Sequence, residues 1–222
     1  GSLAFAGEVA WQLVRSTDGR PMAEVVAPPA GAAAPGATGR ATFERNRFYQ
    51  PGLLEAPDPW LWEAVASGVS RSVAFALGGL DPSGPAARLE MALQGGSDAE
   101  TVGDHHVRVL VNGVPAGQAT FDGKQPFPFE ATLPGSALRE GANELVLENV
   151  GDTGVQSLVW LDRFALEYPR LPVATGGALE VSWPAGGTAE VGVATPAVVL
   201  DVTPGSVAWV TGLEQLAASV RF

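Results

Sequence analysis

The sequence has 222 residues, 46% of them hydrophobic, enough for one sizeable core or for a larger and a smaller one. Its formal net charge is −11 and its only lysine is Lys124, so no basic surface exists to neutralise phosphates or an anionic leaflet; nucleic acid and membrane surface are poor partners, and neither nucleic-acid binding nor membrane insertion is expected. Cysteine is absent, which removes disulfides, thiolate nucleophiles and zinc–cysteine sites together.

With 28 glycines, 18 prolines and only 17% charged residues, short strands punctuated by turns fit better than long salt-bridged helices. The chain opens on Gly1-Ser2, which reads as a cloning remnant ahead of an excised segment. No signal peptide or apolar run of about twenty residues is visible. The missing cysteines and the acidic, Gly/Pro-rich composition are compatible with an extracellular or cell-surface bacterial protein.

Val9 to Val14 alternates loosely, and Thr17-Asp18-Gly19 supplies a turn before Met22 to Val26, which predicts a hairpin. Ala27 to Gly39 is almost wholly Ala, Pro and Gly and reads as a surface connection, so residues 1–39 form an N-terminal hairpin and connector. Asp58-Pro59 places an N-cap ahead of a first-turn proline, and Gly68 stands where a helix could stop, which predicts one short helix over Pro59 to Ala66.

Strand runs follow at Ser72 to Leu77, Arg88 to Leu93, His106 to Val111, Phe127 to Leu133, Asn143 to Asn149 and Ser157 to Tyr168. Val107, Val109 and Val111 share one strand face, and Asn112-Gly113 supplies the centre of a type I′ turn. The partner strand is Val114 to Phe121, with a second tight turn at Asp122-Gly123. From Leu171 the texture repeats at Leu179 to Trp183, Glu190 to Ala194, Ala197 to Val202, Val207 to Val210 and Ser219 to Phe222. The predicted fold class is all-β: an antiparallel jelly-roll-like β-sandwich over residues 40–170 and a smaller C-terminal β unit over 171–222, complete or truncated.

Val107-Arg108-Val109-Leu110-Val111-Asn112-Gly113, Phe121-Asp122-Gly123, Gly141-Ala142-Asn143-Glu144-Leu145 and Trp160 to Tyr168 come in an order that resembles the galactose-binding-like jelly rolls. Phe43-Glu44-Arg45-Asn46-Arg47-Phe48-Tyr49, Asp58-Pro59-Trp60-Leu61-Trp62, Asp104-His105-His106-Val107, Tyr168-Pro169-Arg170 and Asp201-Val202-Thr203-Pro204 extend the likeness. As an ordered set over roughly residues 43 to 204, they resemble the β-sandwich region ahead of the catalytic domain in secreted proteins of the gingipain-type cysteine peptidase family. The resemblance implies an accessory module upstream of a peptidase. The family's catalytic Cys and His have no counterpart here.

Asp104-His105-His106 offers metal-ligand chemistry, but neighbours on a strand point to opposite faces, so the two histidines do not share an ion easily. Structural calcium is the one cofactor the jelly-roll resemblance suggests, with Asp104, Asp152 and Asp162 as candidate oxygens; no Asp-x-Asp-x-Asp loop is present, and otherwise no cofactor is expected. Gly95-Gly96-Ser97-Asp98-Ala99 falls short of a nucleophile elbow, and no nucleotide-binding glycine pattern occurs, so no catalytic residue and no enzyme activity are expected. Of six tryptophans, Trp60 and Trp62 are the candidates for stacking on a sugar ring, although on a helix they would diverge by about 200°. The expectation is a non-catalytic structural or interaction module that docks neighbouring domains of its parent chain; the alternative is a carbohydrate-binding module with glycan partners.

Overall fold

The computed structural model describes residues 22–53, 55–205 and 207–222. In chain order the strands are β1 (Ala23–Val26), β2 (Ala37–Glu44), β3 (Phe48–Tyr49), β4 (Trp60–Leu61), β5 (Glu63–Ala66), β6 (Val69–Leu77), β7 (Ala87–Gly95), β8 (His105–Val111) and β9 (Val114–Phe121). They continue with β10 (Pro126–Leu133), β11 (Gly141–Asn149), β12 (Leu158–Arg170), β13 (Glu190–Gly192), β14 (Val199–Asp201), β15 (Ala208–Thr211), β16 (Glu214–Gln215) and β17 (Ser219–Arg221). The only helical turn described is a 3₁₀ turn at Gly135–Ala137. The described residues fall into two compact units: Gly39–Arg170, and the residues up to Thr38 together with Leu171–Phe222.

The unit from Gly39 to Arg170 is an all-β sandwich. One sheet runs β10-β7-β12-β2 with β5 added to β12, and the other runs β6-β11-β8-β9. Alternation sends one face of each strand inward: Leu89, Met91 and Leu93 from β7, Val107, Val109 and Val111 from β8, Leu145 and Leu147 from β11. Phe164 and Leu166 from β12 join them at 1% and 0% exposure, and burying each such side chain is worth about 1.5–3 kcal/mol.

The β8–β9 hairpin forms at Asn112-Gly113, with φ of 51° and 80°. Asn112 also ties the turn to β11: its amide donates to the Ala137 carbonyl at 2.8 Å and to Asn143 Oδ1 at 2.7 Å, and its Oδ1 accepts the Glu144 N–H at 2.9 Å. Asp122-Gly123 plays another part than the tight hairpin turn expected of it. β9 and β10 lie in different sheets, so this turn carries the chain across the sandwich.

The helix expected over Pro59 to Ala66 does not form; the segment is β4 and β5. Asp58 Oδ1 accepts the Trp60 N–H at 2.8 Å, but the chain then stays extended, because the Trp62 and Ser67 N–H groups donate to the Leu161 and Ser157 carbonyls at 2.8 Å. That pairing buries Trp62 to 3% and Val65 to 0% exposure, a gain that outweighs a capped single turn.

In the second unit β1 pairs in parallel with β15, which pairs antiparallel with β14, and β13-β17-β16 forms another small sheet. The Met22 to Val26 run read as half of an N-terminal hairpin is therefore a strand of the C-terminal sheet; Val9 to Val14 and Trp11 lie outside the described residues. Leu179 to Trp183 forms no strand. Two glycines at positive φ, Gly176 and Gly177, precede it and Pro184 follows, leaving a single bridge from Ser182 to Thr38. No helix of the described residues is long and apolar enough to cross a membrane.

Gly113→Val tests the hairpin. A Cβ at Gly113 would meet nothing within 4 Å, so its cost is backbone strain at φ 80° alone. The variant should lose roughly 1–3 kcal/mol, read as a lower urea midpoint at unchanged m. An unchanged midpoint would contradict the turn assignment.

Candidate functional site

The outward face of the five-stranded sheet carries a groove. Opposite residues share a face, so the register stacks Gln94 beside Trp160 and Pro126, Ala92 beside Arg163 and Pro128, and Glu90 beside Ala165 and Glu130. The small Ala92 and Ala165 leave a hollow of about 380 Å³, with Ala56, Pro57 and Asp58 also lining it. Arg40 spans Glu90 at 2.7 Å and Glu167 at 2.9 Å, and Arg88 spans Glu130 at 2.8 Å and Glu90 at 3.2 Å. These pairs are well exposed and stabilise little one by one.

Asp162 stands where the β7–β12 ladder slips: Leu161 faces Leu93 and Arg163 faces Ala92, which leaves Asp162 as the extra residue of a β-bulge. Its Oδ2 accepts Arg163 Nη1 at 2.7 Å, while its buried Oδ1 has no partner among the described residues. Burial raises its pKa to about 6, against the pull of Arg163 and with added repulsion from Glu44 and Asp58. Gln94, 2% exposed, lines the same groove; its amide donates to the Gly95 carbonyl at 3.0 Å and its Oε1 has no partner among the described residues. Sequence reasoning missed Gln94, which follows Leu89-Glu90-Met91-Ala92-Leu93 on the face that also carries Glu90; a polar residue at such a position is ordinary, so no local signal marked it as buried.

The structure separates the two candidate tryptophans. Trp62 lies in the core, nearly parallel to Phe164 at 5.8 Å with the Arg45 guanidinium 5.5 Å over its ring. Trp60 is half-buried with Tyr49 at 5.1 Å, so the pair builds no shared stacking surface. The exposed aromatic rings of this region are Phe48 and Tyr49.

The three candidate aspartates do not converge, and no group of three His, Cys, Asp or Glu among the described residues is placed to hold a metal. Asp104, fully buried, accepts the Ala99 and Gly123 N–H groups at 2.9 Å each. Asp152 is exposed and pairs with His106 Nδ1 at 2.8 Å, a hydrogen bond that holds its carboxyl below the usual range.

His105 and His106 point to opposite faces, as the strand period requires. His105 is sealed in: Nε2 lies 3.1 Å from the Gly123 carbonyl and Nδ1 2.7 Å from Ser157 Oγ, which also accepts the Asn149 amide at 2.9 Å. A carbonyl only accepts, so Nε2 carries the proton and Nδ1 accepts the Ser157 hydroxyl. Asp104 Oδ1 stands 3.5 Å from Nε2, which completes a Ser-His-Asp set. With Ser157 at 4% and His105 at 0% exposure, no substrate carbonyl reaches it, and the set pins β8 to the start of β12.

No family model matches the chain, and no curated protein matches it. Among solved structures, dimeric latent PorU from Porphyromonas gingivalis is similar at 16% identity and a TM-score of 0.65, over 90% of this chain and 20% of that chain. The chain thus spans about a fifth of the PorU length, and the likeness is one of fold. The carbohydrate-binding module CBM36 in complex with calcium and xylotriose aligns at 14% identity over 59% of this chain and 91% of that one. A family 35 carbohydrate-binding module from an environmental isolate aligns at 14% identity over 68% and 93%. At TM-scores of 0.36, neither alignment bears on the ligand of this chain.

Asp162→Asn reports the state of the groove. Folding raises the Asp162 pKa from 3.8 to about 6, so the native state binds the proton more tightly, and this carboxyl lowers stability as pH rises from about 4 through 6. Removing the charge should stabilise the protein above pH 6 by up to about 3 kcal/mol and flatten that pH dependence. Urea unfolding at pH 4.5 and 7.5 checks it; a variant less stable at pH 7.5 than the parent would sink the assignment.

Proposed function

We propose that the chain is a non-catalytic interaction module of a larger extracellular or cell-surface bacterial protein, standing ahead of a gingipain-type cysteine peptidase domain. The observation that carries this reading is the shared fold with a fifth of PorU over nine-tenths of this chain. The ordered motifs from Phe43 to Pro204 support it independently.

The sheet of β1, β15 and β14 adds a physical reason to expect a partner. Its register sets Val26, Trp209 and Leu200 on one face together with Glu24 and Thr211, and the three apolar residues are 73%, 40% and 43% exposed. Large apolar side chains left open to water on one sheet face, with polar residues among them, fit a surface that a partner covers. The neighbouring domains of the parent chain are the partners this reading assigns.

The parent reading frame should encode a downstream cysteine-peptidase domain, and a frame without one overturns that part of the proposal. Calorimetric titration of this chain with the rest of its parent should show saturable binding, whereas mono- and oligosaccharides, with and without calcium, should give only heat of dilution. The purified chain should turn over no peptide, ester or glycoside; turnover abolished by His105→Ala or Ser157→Ala would reverse the non-catalytic reading.

A further inference from the structure

We propose that the groove on the five-stranded sheet receives one basic side chain, lysine or arginine, presented by a protein partner, with Asp162 Oδ1 and Gln94 Oε1 as the acceptors it meets. This gives the docking partner its chemistry and rests on the interaction-module reading above.

Hydrogen-bond capacity selects the ligand. Both side chains are more than nine-tenths buried, both line the groove, and each leaves one acceptor atom without a donor among the described residues. The guanidiniums that line the groove are engaged elsewhere: Arg163 donates to Asp162 Oδ2, and Arg40 to Glu90 and Glu167. The missing partner is a group that only donates, and ammonium and guanidinium are the charged side-chain groups of that kind. A hydroxyl would bring an acceptor of its own into the same deficit.

Charge and shape agree. Asp58, Glu90, Glu130 and Asp162 line the groove against Arg40 and Arg163, so it carries a surplus of two negative charges. Its floor of Ala92 and Ala165, flanked by Pro126 and Pro128, accommodates the methylene stem of a long side chain, and about 380 Å³ is room for one. Asp162 Oδ1 and Gln94 Oε1 are closed to solvent in the free protein, so entry requires an exchange. The incoming cation replaces Arg163, whose side chain is 45% exposed and therefore loosely held, and one positive group succeeds another at the carboxylate.

The carboxylate that the cation meets is charged only while Asp162 is ionised. The charged groups facing it are Arg163 on its own strand, Glu44 on β2 and Asp58 ahead of β4, while β7 presents only Leu93 and Ala92 opposite the bulge. With a pKa of about 6, the carboxylate is present above that pH and disappears as the pH falls through it. Cation binding follows the same course.

The test follows backbone and Gln94 side-chain amide shifts of the full chain by NMR, with N-acetyl-lysine methylamide, N-acetyl-arginine methylamide and neutral N-acetyl-norleucine methylamide as probes. At pH 7.5 both cations should give saturable shifts at Ala92, Ala165 and Gln94, and norleucine none. At pH 5 the affinity should drop about tenfold, the factor expected one pH unit below the Asp162 pKa. Asp162→Asn should abolish the shifts. Arg163→Gln, which removes the competing guanidinium, should tighten binding several-fold at pH 8.5, where the carboxylate remains ionised. Both variants are checked for a native amide spectrum. Silence with both cations, or equal binding by Asp162→Asn, overturns the proposal. Docking to the rest of the parent is measured alongside: its loss in Asp162→Asn supports the groove, whereas docking unaltered by that change overturns the groove and leaves the module reading standing.

Discussion

One extra residue in β12 sets the arrangement of the whole outer face. Before Asp162 the inward positions are Val159 and Leu161; after it they are Phe164, Leu166 and Tyr168, so the alternation changes phase by one. A regular strand would turn one of these sets toward water, at about 1.5–3 kcal/mol for each displaced side chain. The bulge keeps both sets inside. It also aligns Arg163 with Ala92 and Ala165 with Glu90, which opens the hollow between them, and it leaves the Asp162 carboxylate where the ladder is interrupted.

Two buried aspartates show how partners, rather than burial, decide the outcome. Asp104 is fully buried and accepts two backbone N–H groups that cannot leave. Asp162 is buried nearly as well but leans on one exposed guanidinium and faces Glu44 and Asp58. The first carboxylate is a fixture of the sandwich, binding the Asp98–His105 loop to the Asp122-Gly123 crossover. The second costs stability when charged, and a buried polar group held at such a cost marks a place where a function can reside.

Much of the sandwich is readable from local pattern. The alternation of Val107, Val109 and Val111 with Asn112-Gly113 behind them fixes the β8–β9 hairpin, because side-chain period and turn chemistry agree within ten residues. The Asp58-Pro59 signal misleads because capping is worth about 1 kcal/mol, less than the pairing of β5 with β12 that the local sequence does not reveal. The parallel pairing of Ala23–Val26 with Ala208–Thr211 lies beyond local reading for the same reason. Asp162 could be named from its residue type, but its unpaired oxygen could not. That property arises from the bulge, and the bulge was written in the change of apolar phase between Leu161 and Phe164.

The sandwich keeps apart what acyl transfer brings together. Acyl transfer needs a nucleophile, a base and space for substrate at one point. Ser157 and His105 supply the first two at 2.7 Å, but the core closes around them and Phe121 lies against the imidazole at 4.6 Å. The groove supplies space, yet its lining holds neither serine nor histidine, only Thr42 as a hydroxyl besides carboxylates, guanidiniums and the Gln94 amide. On the proposed reading, its room, its charge surplus and its acceptors unpaired among the described residues suit this surface to holding a partner.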